Sequence, residues 1–270
     1  MSSDPLILPG GSDKGDGPGD VQNVFFWVRG DKENPTSLNV ALLTGSSVDT
    51  WLDQCLYHHH AFGFGTARPT YTTSLITCGA SARAGLVFDG SNYFLQTSII
   101  EEPVYQFTDK EKFSVHMAFK APVNNTDSTL FSIGHTGVGR DGISVSLVPN
   151  GVVARITLAL DCGGTGFVDT TFTFPGGLIY ANSSVDTISF MFDGTLSSNQ
   201  LKLVLDNLST SITVASLGMR ASSNRITIGR DYGGGHFYTG DLLEIISQST
   251  ALDDDRALLY NYYVRKWCAV

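Results

Sequence analysis

The chain has 270 residues, of which 16% are charged and 29 are glycine, and its formal net charge is −9. Few charges and abundant glycine suit a strand-rich protein with many tight turns and argue against a helical bundle. The acidic balance, without any cluster of Lys or Arg, argues against wrapping nucleic acid or docking on an anionic membrane.

In chain order, MSSDPLILPGGSDKGDGPGD comes first, with five glycines, three prolines and no periodicity. Residues 1–20 are therefore expected to form a flexible arm without a core, and residues 21–270 a single domain. Leu6, Ile7 and Leu8 are the only adjacent large apolar residues of the arm. They are the candidates for insertion into a partner. The order of charged and apolar residues is not that of a signal peptide, so synthesis in a cytoplasm is expected.

Strands then arrive between regular turn signals. EKFSVHMAFK alternates strictly, predicting Phe113, Val115, Met117 and Phe119 inward and Ser114, His116, Ala118 and Lys120 outward. GISVSLVPNGVVARITLAL reads as a hairpin around Pro149-Asn150-Gly151. VDTISFMFDGTLSSNQLKLVLDN reads as a second one, in which Ile188, Phe190 and Phe192 face Leu201, Leu203 and Leu205. SITVASLG, NRITIGR and DLLEIIS follow at similar spacing. Many short alternating strands predict an all-β fold, a two-sheet antiparallel β-sandwich of the jelly-roll kind.

The period changes at the end. Tyr238 to Gln248 reads as a strand, with Leu243 and Ile245 on one face and Glu244 and Ile246 on the other. From Asp253 the spacing is helical: Leu258, Leu259, Tyr262, Tyr263 and Trp267. Asp253 suits the N-cap of this short C-terminal helix, Asp254 and Asp255 its first turn, and Arg265 and Lys266 its last.

Phe237, Gly240, Leu242, Glu244, Ile245 and Ile246, then Leu252, Arg256, Leu259, Tyr263, Lys266 and Trp267, form a pattern. It resembles the C-terminal end of concanavalin A-like lectin/glucanase domains, of the laminin-G-like variety found in bacteriophage structural proteins. FFWVRGDKEN, SSVDTWLDQ, RPTY and AGLVFDGSNYFLQ resemble that family's opening run, and the matches bracket nearly the whole chain. After Asp53-Gln54 the chain departs from the pattern with CLYHHHAFGFG. The resemblance implies a concanavalin A-like sandwich closed by its helix. It also implies a virion structural protein (capsid decoration or cement, or a tail component) whose partners are other virion proteins, in several copies.

Glucanases of this fold carry E-x-D-x-E or E-x-D-x-x-E on one strand, because period two sets carboxylates side by side. That spacing is absent, and Asp241 and Glu244, three apart, fall on opposite faces of a regular strand. No catalytic residue is therefore assigned, and a glycoside hydrolase ranks behind a structural protein or a lectin. Neither a nucleophile elbow nor a phosphate-binding loop is present.

The glycan-binding candidates lie in GRDYGGGHFYTG, which presents Asp231, Tyr232, His236 and Tyr238 from a glycine-rich loop. Sugars are held by aromatic faces and planar polar groups at such rims. The competing reading is a connector whose aromatics pack back on the sheet. His58 and His60 would share a face of a strand and could hold a metal with a third ligand; without a nearby carboxylate that site is incomplete, and no metal or cofactor is assigned. Cys55, Cys78, Cys162 and Cys268 form no C-x-x-C pair and are read as reduced thiols.

Overall fold

The computed structural model describes residues 23–30, 43–55, 59–78, 81–98, 112–120, 128–134, 142–147, 153–159, 167–173, 185–206, 208–213, 225–231, 234–251 and 253–268. The candidate arm residues Leu6, Ile7 and Leu8 lie outside these. In chain order the first strands are β1 (Val24–Arg29), β2 (Thr50–Trp51), β3 (Ala61–Phe62), β4 (Thr70–Cys78), β5 (Ser81–Asp89) and β6 (Leu95–Thr97). Next come β7 (Lys112–Lys120), β8 (Ser128–Gly134), β9 (Gly142–Leu147), β10 (Val153–Ala159) and β11 (Phe167–Thr173). The last are β12 (Asp186–Asp193), β13 (Leu201–Leu205), β14 (Leu208–Ile212), β15 (Arg225–Ile228), β16 (Thr239–Gln248) and the helix α1 (Asp253–Trp267).

One sheet runs β14-β13-β12-β7-β16-β5-β4, with β1 pairing the second half of β16; the other runs β11-β10-β9-β8-β15-β6-β3-β2. Named neighbours within each sheet pair antiparallel. The strands of both predicted hairpins pair, and Pro149-Asn150-Gly151 lies outside the described residues. Ile188, Phe190 and Phe192 pair with Leu205, Leu203 and Leu201, and Leu147 with Ala154. Phe113, Val115, Met117 and Phe119 join these leucines, Phe131, Val145 and Ile228 in the core between the sheets.

Three expectations need correction. The outer face of β7 is not solvated: Ser114, His116 and Ala118 are buried. There α1 supplies a second apolar layer, in which Leu259, Tyr262, Tyr263 and Trp267 pack on Ala118, Leu243 and Ile246. Burying four such side chains stabilises the layer by roughly 6–12 kcal/mol before ordering costs. Leu258, by contrast, is 45% exposed and faces away. Second, β16 is irregular between Leu242 and Glu244. Leu242 and Ile245 therefore enter the inner core while Leu243 joins Ile246 under the helix. A bulge resets side-chain parity, which removes the argument placing Asp241 and Glu244 on opposite faces. Third, Cys78 and Cys268 are joined in a disulfide, with Cα atoms 5.6 Å apart. Spacing of 190 residues hides the pair in the sequence, because the helix runs back to the end of β4. Cys55 is a buried free thiol, and Cys162 lies outside the described residues.

The motifs at the start of the chain have structural roles. Asp53 accepts hydrogen bonds from the backbone N–H of Trp27 (2.9 Å), Cys55 (3.0 Å) and His59 (3.0 Å), stitching β1 to the rebuilt loop. Asp89 likewise accepts from the N–H of Ser91, Asn92 and Tyr93 at 3.0–3.1 Å and from the Ser91 hydroxyl. Burial alone would raise the Asp89 pKa, but these bonds outweigh it and hold the carboxyl low. The turn needs Gly90: its φ is +75°, and a Cβ there would collide with Thr239.

Candidate functional site at the sandwich rim

The glycine-rich segment after β15 is an ordered turn where it is described. Gly229 opens it at φ +84°, with the Phe88 ring occupying the place a Cβ would take, so no side chain fits. Tyr238 N–H donates to Gly229 O (2.8 Å) and Gly90 N–H to Tyr238 O (2.9 Å). Between these anchors the Asp231 carboxylate accepts from Gly235 N–H (2.7 Å), and Gly234 N–H donates to Asp231 O (3.2 Å). His236 takes a left-handed φ of 49°, and its carbonyl accepts from Thr129 N–H of β8 (2.7 Å).

The four candidate glycan-binding residues part company here. Asp231 and His236 stay together at the surface, with His236 Nε2 3.9 Å from the carboxylate. Tyr238 does not belong with them. It is wholly buried, its ring 5.9 Å from Phe88, and its hydroxyl donates to Lys120 O (2.8 Å). The competing reading, an aromatic packed back on the sheet, holds for Tyr238. Tyr232 lies outside the described residues.

The same rim carries groups that sequence reasoning does not single out. The Asp89 turn delivers Phe94 to the start of β6, where Phe64 stacks on it with ring centroids 5.8 Å apart and 18° between planes. The Arg230 guanidinium lies 3.5 Å from the centroid of the Phe94 ring. Partial burial lowers the Arg230 pKa and Asp231 opposes that change, so the group stays a cation. Phe64 remains 49% exposed despite its stacking. Phe62, 39% exposed, pairs with Gln96 in the ladder, its ring centroid 6.4 Å from that of His60. A half-exposed ring stacked on a second ring, and a guanidinium followed by a carboxylate and an imidazole, give a platform with an apolar face and hydrogen-bonding edges. The one signal in the sequence is the F-G-F-G of the departed loop, where the neighbouring histidines draw attention first.

Other chemistry is less open. His60 Nδ1 accepts from Asp53 N–H (3.2 Å), which commits that ring nitrogen, and His58 lies outside the described residues. Among the described residues no group of three His, Cys, Asp or Glu is placed to hold a metal. Asp186 and Asp206 titrate high, about 7 and about 6. Burial is the main cause for both, and Asp206 raises Asp186 further. The Asp206 carboxylate is held by Thr187 N–H (2.8 Å) and Oγ1 (3.2 Å), and Asp186 is buried. Glu244 is consumed by the helix layer.

No protein-family profile matches this sequence, and no curated protein does. Solved structures do overlay on it. The binding domain of botulinum neurotoxin serotype G matches with a TM-score of 0.56 at 13% identity, over 79% of this chain and 48% of the other. The binding domain of botulinum neurotoxin DC in complex with SialylT matches at 0.52 and 14% identity, over 88% and 51%. The CBM40 domain of the Ruminococcus gnavus IT-sialidase, bound to α2,3-sialyllactose, overlays more loosely: 0.46 and 15% identity, over 65% and 91%. The chain spans about half the length of the toxin structures and about a quarter of the sialidase structures it also overlies. At these identities the likeness concerns the fold alone, a two-sheet antiparallel β-sandwich.

Proposed function

We propose that this chain is a non-catalytic, lectin-like module that holds a glycan at the rim formed by Phe64, Phe94 and Arg230, with Asp231 and His236 beside them. The observation that carries the reading is the half-exposed Phe64 ring, kept flat by stacking on Phe94 under the Arg230 guanidinium. A pre-positioned aromatic face loses little conformational entropy when a sugar ring lies on it, and the adjacent planar groups can bond its hydroxyls. The architecture shared with toxin binding domains, one of them in complex with SialylT, supports the same class of ligand.

Phe64→Ala is expected to weaken retention on the best-bound immobilised polysaccharide by about tenfold, or 1.4 kcal/mol, while leaving the melting temperature nearly unchanged. Frontal affinity chromatography and a thermal melt on the same preparations check both halves. Absence of retention by the wild-type chain on any host-surface polysaccharide, or equal retention by the variant, would sink the reading. Tyr238→Ala is a poor probe of binding, because it empties a core position.

The place of the chain in a bacteriophage-like virion is a separate proposal, supported by the family resemblance of its motifs. It names other virion proteins as partners and Leu6, Ile7 and Leu8 as their contacts. Its test is detection of the chain in purified particles, followed by deletion of residues 1–20, which should abolish incorporation without changing the melting temperature.

A further inference from the structure

The Cys78–Cys268 bridge joins two ends that lie 190 residues apart in the chain. Cys78 closes β4, the last strand of its sheet, and Cys268 follows directly on Trp267, the last residue of α1. Cys268 is exposed and Cys78 partly so, and the Cys78 sulfur lies 3.7 Å from the Arg265 carbonyl oxygen in the last helical turn. Beside the bridge is a cavity of about 270 Å³, lined by Leu75, Ile76, Thr77, Lys120, Trp267 and Cys268 among others. A small thiol therefore reaches the sulfurs without unfolding anything. The layer under α1 is a separate cluster from the core between the sheets, so loosening one does not empty the other.

We propose that Cys78–Cys268 is a redox latch. A dithiol reductant opens it in the folded protein, releasing the C-terminal end of α1 from β4 while the sandwich stays intact. One thiolate of the reductant attacks a bridge sulfur, and the Cys78–Cys268 bond breaks to a mixed disulfide and a cysteine thiolate. The second thiol of the reductant then displaces the remaining cysteine. Two electrons pass from the dithiol, which becomes a cyclic disulfide, and the cysteines leave as thiols after proton uptake. With the bridge open, the last turn of α1 is held by its Glu244 bonds and the apolar layer without a covalent tie, so the face that carries Trp267 and Tyr263 opens to solvent more often than in the oxidised form.

The test is native-state reduction by dithiothreitol of the full chain, followed by mass-resolved amide hydrogen exchange. On complete reduction, protection across 253–267 should fall by roughly ten- to a hundredfold while β7, β12 and β16 keep theirs, and reoxidation should restore it. Unchanged protection in α1 after complete reduction overturns the proposal. So does reduction that proceeds only at the rate of global unfolding, or protection lost equally in the strands. The Cys78→Ser/Cys268→Ser chain should exchange like the reduced protein. If it does not fold, reduction of the folded wild-type chain remains decisive.

Discussion

Glu244→Ala is expected to destabilise the fold by about 3–5 kcal/mol, lowering the melting temperature by roughly 10 °C, although no surface contact changes. Glu244 has no exposed surface. Its Oε1 accepts from Trp27 Nε1 (2.6 Å) and the Tyr262 hydroxyl (3.0 Å). Its Oε2 accepts from Trp267 Nε1 (2.7 Å) and Lys266 Nζ (3.0 Å). Lys266, only 5% exposed, also donates to the Tyr262 hydroxyl at 2.7 Å. One carboxylate thus satisfies two indoles and a phenol and neutralises a buried ammonium, pinning α1 to β1 and β16. Removing it strands a charge and several donors in an apolar layer, where the desolvation cost has no offset. Glu244→Ala/Lys266→Met should recover part of the loss, because the stranded charge goes with its partner. Urea titration of the three chains measures the coupling. A single-variant loss below about 1 kcal/mol would show that the layer relaxes to let water reach Lys266.

That network also shows what the sequence can and cannot convey. Alternation in EKFSVHMAFK and pairing in the β12–β13 hairpin are legible because side-chain period in a strand is fixed by backbone geometry. The identity of the solvent is not. Ser114 and His116 look like an outer face, and only the return of α1 over β7 makes that face interior. The helix itself is visible in its spacing, yet its polar members Tyr262 and Lys266 look like closure or surface residues when they in fact bond Glu244. The shift after Leu242 in β16 has no local marker, since Leu-Leu-Glu-Ile-Ile fits either parity.

The rim is half legible for a similar reason. A glycine-rich loop announces a tight turn, so Asp231 and His236 can be singled out from one segment. Phe64, Phe94 and Arg230 come from three segments far apart in the chain, and their stacking depends on β3, β6 and β15 being neighbours in one sheet. Tyr238 misleads because period two reverses its meaning. One residue before β16, it points into the core, and its hydroxyl finds Lys120 O and Asp241 O there.

Asp186→Asn is expected to stabilise the fold at and above neutral pH and to tilt its pH dependence. Asp186 Oδ2 is buried without a hydrogen-bond partner among the described residues, and burial followed by the Asp206 charge raises its pKa from 3.8 to about 7. A carboxyl raised in the folded state binds its proton more tightly there. The stability it contributes is therefore full below 3.8 and is lost as pH rises through about 7, a change of about 4 kcal/mol. His116 acts in the opposite sense. Its ring lies between Ser189 Oγ (2.8 Å) and Ser114 Oγ (3.0 Å), and burial lowers its pKa from 6.5 to about 3. Stability from the neutral imidazole is full above 6.5 and is lost as pH falls toward 3, by about 5 kcal/mol. Between about pH 4 and 6.5 Asp186 gains on acidification roughly what His116 loses, and Asp206, raised in the same sense as Asp186, makes the wild-type stability fall toward alkali. In the Asp186→Asn chain the His116 contribution has one opponent fewer, and stability should rise relative to wild type across that window. Urea denaturation from pH 4 to 8 measures both curves. If they run parallel, Asp186 is reached by water in solution and its charge costs the fold nothing.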